Sequence, residues 1–87
     1  MANHPSAEKR NRQRIKRTLR TRIARGASRT AVKRAREALA AADAKEAAER
    51  VQVASVALAK AAKKGAIHPR KAARVTSRIS SALSKLG

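Results

Sequence analysis

Positive charge is concentrated at the start of this chain. Residues 1–36 contain thirteen lysines and arginines but a single acid, Glu8. No phenylalanine, tyrosine or tryptophan occurs at any of the 87 positions. A segment so charged repels itself in a compact fold, and the chain has no aromatic side chain to fill a core. We therefore expect one small, marginally stable domain that gains stability when a polyanionic partner binds it.

Charge divides the chain into three segments. The net charge is +12 over residues 1–36, −1 over residues 37–62 and +7 over residues 63–87, which accounts for the formal total of +18. Lysine and arginine neutralise a phosphate backbone, but single-strand binders stack bases on aromatic rings that this chain lacks. The pattern predicts that the two basic segments bind structured nucleic acid through phosphates and shape, while the middle segment faces solvent.

The local signals predict helix along most of the chain. Alanine, arginine, lysine, glutamate and leucine dominate, and neither strand-like alternation nor a hairpin dipeptide occurs. We predict an all-α fold, an antiparallel three-helix bundle with an extended, basic N-terminal helix, in a single domain over residues 1–87. The helices are expected at about residues 6–42, 44–64 and 69–86.

Short motifs mark the expected helix ends. Asp43 and Glu46 have the spacing of a capping box, and Glu46 is also placed to pair with Arg50 one turn later. Gly65 is placed as the C′ residue after the second helix. Pro69 suits the first position of the third helix. These motifs predict short connections and hence antiparallel neighbours.

Apolar residues define the faces that should pack. The second helix has one row, Val51, Ala54, Leu58 and Ala61, and the third has another, Ala72, Val75, Ile79, Ala82 and Leu86. The first helix has two opposed faces, Ile15, Leu19 and Ile23 on one, and Val32, Ala35 and Leu39 on the other. Either this helix bends near Gly26, or its halves serve different surfaces. We favour the second alternative, with the later half in the core and the earlier half projecting outward.

Basic residues at helical spacing form two candidate binding surfaces. The first surrounds most of the first helix and comprises Lys9, Arg10, Arg12, Arg14, Lys16, Arg17, Arg20, Arg22, Arg25 and Arg29. The second comprises Lys64, Arg70, Lys71, Arg74 and Arg78. A solvated charged face is the alternative for each surface, but the acids that would balance the first are absent. His68 either caps the third helix or contacts RNA.

Other kinds of site lack candidate residues. The chain has no cysteine and only two histidines, so we expect no metal site, and it has no glycine-rich phosphate loop. The acids Asp43, Glu46 and Glu49 are interpreted as a solvated face rather than an acid–base pair. Residues 51–62 are too short an apolar stretch to span a bilayer, and the N-terminus has no signal-peptide h-region. We therefore predict no enzyme activity, no catalytic residue, no cofactor, no small-molecule substrate and no membrane partner.

Motifs at both ends of the chain resemble those of a known family. The run from Lys64 to Arg74 reads K-G-A-I-H-P-R-K-A-A-R and is followed by Ser77-Arg78-Ile79. It resembles the signature K-G-x-I-H-x-N-x-A-A-R of the bacterial small-subunit ribosomal protein S-twenty family, except that Arg70 replaces the asparagine of many relatives. The opening residues, with Met1-Ala2-Asn3, Ser6-Ala7 and Lys9-Arg10, are similar to the opening of that family.

The resemblance implies a structural role in the small ribosomal subunit. The chain would be a monomer within the cytoplasmic ribosome, would bind 16S rRNA through phosphates beside neighbouring ribosomal components, and would stabilise the folded rRNA during assembly. Two other classes stay open. A histone-like compaction protein would bind any duplex equally well. An amphipathic helix on an anionic membrane is disfavoured by the lack of tryptophan and phenylalanine.

Overall fold

The computed structural model describes residues 5–86, and this part of the chain is built from three helices without a strand. Helix α1 spans Pro5–Ala40, α2 spans Ala44–Lys63 and α3 spans Pro69–Leu86. The prediction of an all-α, three-helix fold with an extended N-terminal helix is confirmed. The opening residues Met1 to His4 and the last residue lie outside the described part.

The start of α2 is capped as its sequence predicts. Asp43 has extended backbone angles, φ −86° and ψ 97°, and its carboxylate Oδ1 accepts a hydrogen bond of 3.2 Å from the backbone N–H of Glu46. Glu46 Oε1 also lies 3.7 Å from Arg50 Nε, one helical turn further on. Both side chains of this ion pair are about half exposed, so it contributes little to stability. The cap is therefore the stronger determinant of where α2 begins.

The end of α2 is a Schellman motif. Gly65 has a left-handed φ of 77°, as expected for the C′ residue. Its N–H donates to the carbonyl of Ala62 at 3.1 Å, and the N–H of Ala66 donates to the carbonyl of Ala61 at 2.8 Å. Ala61 and Ala66 are both buried, which supplies the apolar contact that usually accompanies this motif. The predicted role of Gly65 is confirmed.

The end of α1 uses a left-handed residue of a less suitable type. Ala42 has a φ of 58°, and its N–H donates to the carbonyl of Leu39 at 3.1 Å. A residue with a Cβ is strained in this conformation, whereas glycine is not. The structure ends α1 at Ala40, two residues before the expected end. The reversal at Ala42 allows α2 to return along α1.

The core is a seam of small side chains along α2. Ala47, Val51, Ala54, Leu58 and Ala61 are buried on one face of α2, which confirms the predicted row and extends it by one turn. The facing core residues are Val32 and Ala35 from α1 and Ala72 and Ile79 from α3, with Leu39, Ile67, Val75 and Leu83 partly buried around them. Alanine buries little area, so the helices approach closely but gain modest hydrophobic energy.

The molecule is elongated because α1 is much longer than its partners. At 1.5 Å per residue, the 36 residues of α1 span about 54 Å and the 20 residues of α2 about 30 Å. The principal extents are 63 × 20 × 13 Å, and the radius of gyration is 17.4 Å. A spherical domain of this size would have a radius of gyration of about 12 Å. The bundle therefore covers only the C-terminal part of α1.

Candidate nucleic-acid interface

The N-terminal part of α1 projects beyond the bundle. Every residue from 6 to 20 is exposed, and we call this stretch the projecting segment. The first half-buried residue is Thr21, and the first fully buried one is Ser28. The helix is continuous through Gly26, so one rigid element joins a buried half to an exposed half. This arrangement agrees with the expectation that the two halves of α1 serve different surfaces.

Most of the cations predicted on the first helix surround the projecting segment. Those within the projecting segment are Lys9, Arg10, Arg12, Arg14, Lys16, Arg17 and Arg20, and Arg22 is exposed just beyond it. Successive residues of a helix are turned by about 100°, so these side chains extend in all directions around the axis. The only acid among residues 6–20 is Glu8, in the first turn, where it also suits the helix dipole. Such a rod can contact phosphates on several sides at once.

A cationic groove lies between α1 and α3. These two helices contact each other less than either contacts α2, so an open groove of about 880 Å³ remains between them. Its basic residues are Arg25, Arg29, Lys33, Arg36, His68 and Lys71, and its one acid is Glu37. Its apolar residues include Val32, Leu58, Ile67 and Val75. We call this feature the α1–α3 groove. It brings four predicted residues, Arg25, Arg29, His68 and Lys71, to one place.

Arg25 holds one wall of the groove to the turn after α2. Its Nε and Nη2 atoms donate hydrogen bonds of 3.1 and 3.0 Å to the same acceptor, the carbonyl oxygen of Ala66. Ala66 is the C″ residue of the Schellman motif, so the contact joins α1 to the α2–α3 connection across 41 positions of sequence. A guanidinium has five N–H donors, and two are used here. Arg25 thus fixes the direction of α1 and retains donors for a phosphate.

His68 caps α3 at the mouth of the same groove. Its Nδ1 accepts a hydrogen bond of 3.1 Å from the backbone N–H of Arg70, and its carbonyl accepts the N–H of Ala72 at 3.1 Å. Pro69 follows as the first helical residue. The capping interpretation of His68 is therefore observed directly. The ring is exposed and lines the groove, so contact with RNA is also sterically open to it.

The remaining predicted residues are exposed but lie outside the groove. Arg70, Arg74 and Arg78 follow one another at four-residue steps on α3, and all three are exposed. Lys64 is the C-cap residue of α2. The structure thus arranges most of the predicted cations on three surfaces: the projecting segment, the α1–α3 groove and the exposed arginine row of α3.

Two groove residues, Lys33 and Arg36, were not among the predicted binding residues. They continue a row that starts at Arg25 and Arg29, at steps of four, four and three residues. This spacing on one helix face was a usable signal. It was missed because the apolar residues around it, Val32 among them, assigned this half of α1 to the core.

Three of the five acids lie together at the start of α2. Asp43, Glu46 and Glu49 line a shallow depression at the start of α2, together with two bases and Val53. Within residues 5–86 no three histidine or acidic side chains are close enough to hold a metal ion. None of the helices described is both long and apolar enough to cross a bilayer. Three of the five acids thus cluster at the cap and first two turns of α2, whereas most of the cations lie on α1 and α3.

Comparison with known proteins agrees with these features. Residues 2–84 match the family model described as Ribosomal protein S20. The chain is 52% identical over 85 residues to the small ribosomal subunit protein bS20 of Sorangium cellulosum, covering 98% of this chain and 89% of the relative. It is 47% identical over 87 residues to the protein of the same name from Geotalea uraniireducens, with full coverage of both. The corresponding protein of Desulfovibrio desulfuricans is 44% identical over 86 residues, covering 99% of this chain and 97% of the relative. The chain belongs to the ribosomal protein S20 family.

Proposed function

We propose that this protein is a structural constituent of the small ribosomal subunit that binds 16S rRNA directly. The observation that carries the proposal is the projecting segment, in which residues 6–20 are exposed, strongly basic and free of a packing role in the bundle. The names of the relatives, all small ribosomal subunit proteins, supply the biological context. The protein acts by charge and shape and has no chemistry to perform.

The geometry suggests how RNA segments are held together. The projecting segment carries cations on all sides, so it can lie between two RNA helices whose phosphates repel each other. The α1–α3 groove and the exposed arginines of α3 add further cations on the same bundle. A protein of this form fixes the relative position of the RNA segments that it contacts. Its specificity comes from RNA shape, because the deep major groove of A-form RNA resists side-chain readout.

The strength of binding should depend steeply on salt. About ten phosphate contacts would give a slope of log K against log [salt] of about −9 on a duplex and about −7 on a single strand. Replacing one phosphate-contacting cation by a neutral residue should reduce this slope by about 1.

Competition for a labelled partner tests the proposal. Labelled small-subunit rRNA is bound at 0.15 M KCl and challenged with equal masses of tRNA and of random duplex DNA. We expect the labelled rRNA to stay bound in the presence of either competitor. Added salt should weaken the binding of the protein to this rRNA less than its binding to tRNA or to duplex DNA. If every polyanion competes equally, the ribosomal proposal fails and the histone-like compaction alternative becomes the leading one.

Neighbouring arginines on α1 provide a matched pair of variants for the groove. Arg36 lines the α1–α3 groove and Arg34, two residues earlier, does not, although both are exposed. We expect Arg36→Gln to weaken rRNA binding and reduce the salt slope by about 1, and Arg34→Gln to do so by less. Equal effects of the two variants would contradict a role for the groove and would leave only a general effect of charge.

A further inference from the structure

Gly26 stands out because no contact or backbone angle among residues 5–86 requires a glycine there. It lies inside the continuous helix α1, where glycine is less favourable than alanine. Its φ is not in the left-handed region, and a Cβ built on it would meet no heavy atom of the described residues within 4 Å, apart from its chain neighbours and the local backbone of α1. Gly65, by contrast, is required by its positive φ. An exposed helical glycine without an internal reason suggests that something outside the chain approaches the bare backbone closely.

The neighbours of Gly26 on the helix surface indicate what approaches it. Arg22 precedes it by four residues and Arg29 follows it by three, so both share its face, and both are exposed. They are separated by seven residues, about 10 Å along the axis at 1.5 Å per residue. A phosphodiester strand held by both guanidiniums would run along this face of the helix and pass beside Gly26. The chemistry on either side of the glycine is therefore suited to a polyanion.

Three exposed apolar residues of α1 lie on the same helix face as Gly26. Ile15, Leu19 and Ile23 are 52%, 52% and 71% exposed, and at 100° per residue Gly26 continues their row. Single exposed apolar residues are normal, but three on one face next to an unexplained glycine form a contact surface. Duplex RNA presents a wide, shallow minor groove that displays riboses and 2′-hydroxyls. Aliphatic side chains can lie against riboses there while the flanking arginines bind phosphates.

We propose that the α1 face formed by Ile15, Leu19, Ile23 and Gly26 docks along the minor groove of duplex RNA, with the sugar–phosphate backbone closest to the helix at Gly26. The inference rests on the proposed function, because it assumes that RNA is the partner. It adds the face of α1 that meets the RNA and the position of closest approach. Cations elsewhere on α1 then contact other strands or solvent.

Two adjacent substitutions with the same side chain test the close approach. Gly26→Gln places a neutral side chain on the proposed face, and Ala27→Gln places the same side chain one residue further on, about 100° around the helix. Ala27 is exposed as well. Neither variant changes the charge of the protein. Binding of each to in vitro transcribed small-subunit rRNA is measured at 0.15 M KCl, together with thermal unfolding of the free protein.

We expect Gly26→Gln to make the free protein more stable and at the same time to weaken its binding to rRNA. Gly26 lies between half-buried Ala24 and buried Ser28, so a better helix former there should raise the Tm of the free protein, by roughly 4 °C. The same Gly26→Gln variant should bind rRNA about ten-fold more weakly, since the added side chain holds the RNA strand away. Ala27→Gln should bind within about two-fold of the unmodified protein.

The other outcomes each overturn a defined claim. If the unmodified protein shows no preference for rRNA over tRNA, the proposed function itself has failed. If it does prefer rRNA but Gly26→Gln binds as well as Ala27→Gln, only the docking face is wrong. The docking face is also wrong if both variants lose affinity equally. If Gly26→Gln binds naked rRNA normally but fails to enter reconstituted small subunits, the face contacts a protein instead of RNA.

Discussion

The two left-handed residues that end α1 and α2 offer a sharp test of the local energetics. Ala42 has a φ of 58° and Gly65 a φ of 77°. A residue with a Cβ costs roughly 1–2 kcal/mol in this region. Glycine avoids that strain but loses about 0.4–1 kcal/mol through the greater freedom of the unfolded chain. Ala42→Gly should therefore stabilise the protein by about 0.5–1 kcal/mol.

The reverse substitution at the other turn should have the opposite effect. Apart from its chain neighbours, a Cβ on Gly65 meets no heavy atom of the described residues within 4 Å, so Gly65→Ala introduces backbone strain without a clash. It should destabilise by a similar amount, about 0.5–1 kcal/mol. The two sites lie at opposite ends of the 20-residue α2, about 30 Å apart, so their effects should add. The double variant should then unfold near the temperature of the unmodified protein.

Thermal melts followed by far-ultraviolet circular dichroism measure these changes. Tryptophan fluorescence cannot be used, because the chain has no aromatic residue. For a domain of this size, 0.5–1 kcal/mol corresponds to a Tm shift of about 2–8 °C. We expect a rise for Ala42→Gly, a fall for Gly65→Ala and near cancellation in the double variant. An unchanged or lower Tm for Ala42→Gly would refute the assignment of strain to Ala42.

Three further predictions follow from the packing and caps. Leu58→Ala should cost about 2–5 kcal/mol, a large share of the total stability of a domain this small, as measured by urea unfolding. His68→Ala should remove the cap of α3 and cost about 1 kcal/mol, and His68→Ser should restore most of it; equal Tm values for the two would exclude a capping contribution. In the free protein, amides of residues 7–20 should exchange with deuterium far faster than those of residues 31–39, because no other helix covers them, and equal protection would contradict this account.

The features that depend on local signals were predictable from the sequence. The apolar row around Leu58 defined the buried face of α2, because a helix repeats its faces every 3.6 residues. Asp43 and Gly65 marked helix ends through side-chain and backbone preferences that act within a few residues. The projecting segment followed from its charge, since no core could accept it.

The features that depend on tertiary geometry were not predictable in this way. Ala42 carries no turn signal, and α1 ends before it only because the chain must reverse to bury the α2 seam. The hydrogen bonds from Arg25 to Ala66 join residues 41 positions apart, and nothing in the spacing of either residue indicates them. The groove lined by Lys33 and Arg36 exists because α1 and α3 pack against each other less closely than either packs against α2. Distances between helices are a property of the whole bundle.

The alanines of the seam have a consequence for the far end of α1. Ala35, Ala47, Ala54 and Ala61 are fully buried and have no rotamers, so side-chain rearrangement cannot absorb a change in helix spacing. The unsupported part of α1 extends about 24 Å beyond α2, and a tilt of 10° at the seam would displace its tip by about 4 Å. That displacement exceeds the tolerance of a hydrogen bond to phosphate. Replacing one of these alanines by a larger residue would therefore shift the positions of cations several helical turns away, although the new side chain contacts none of them.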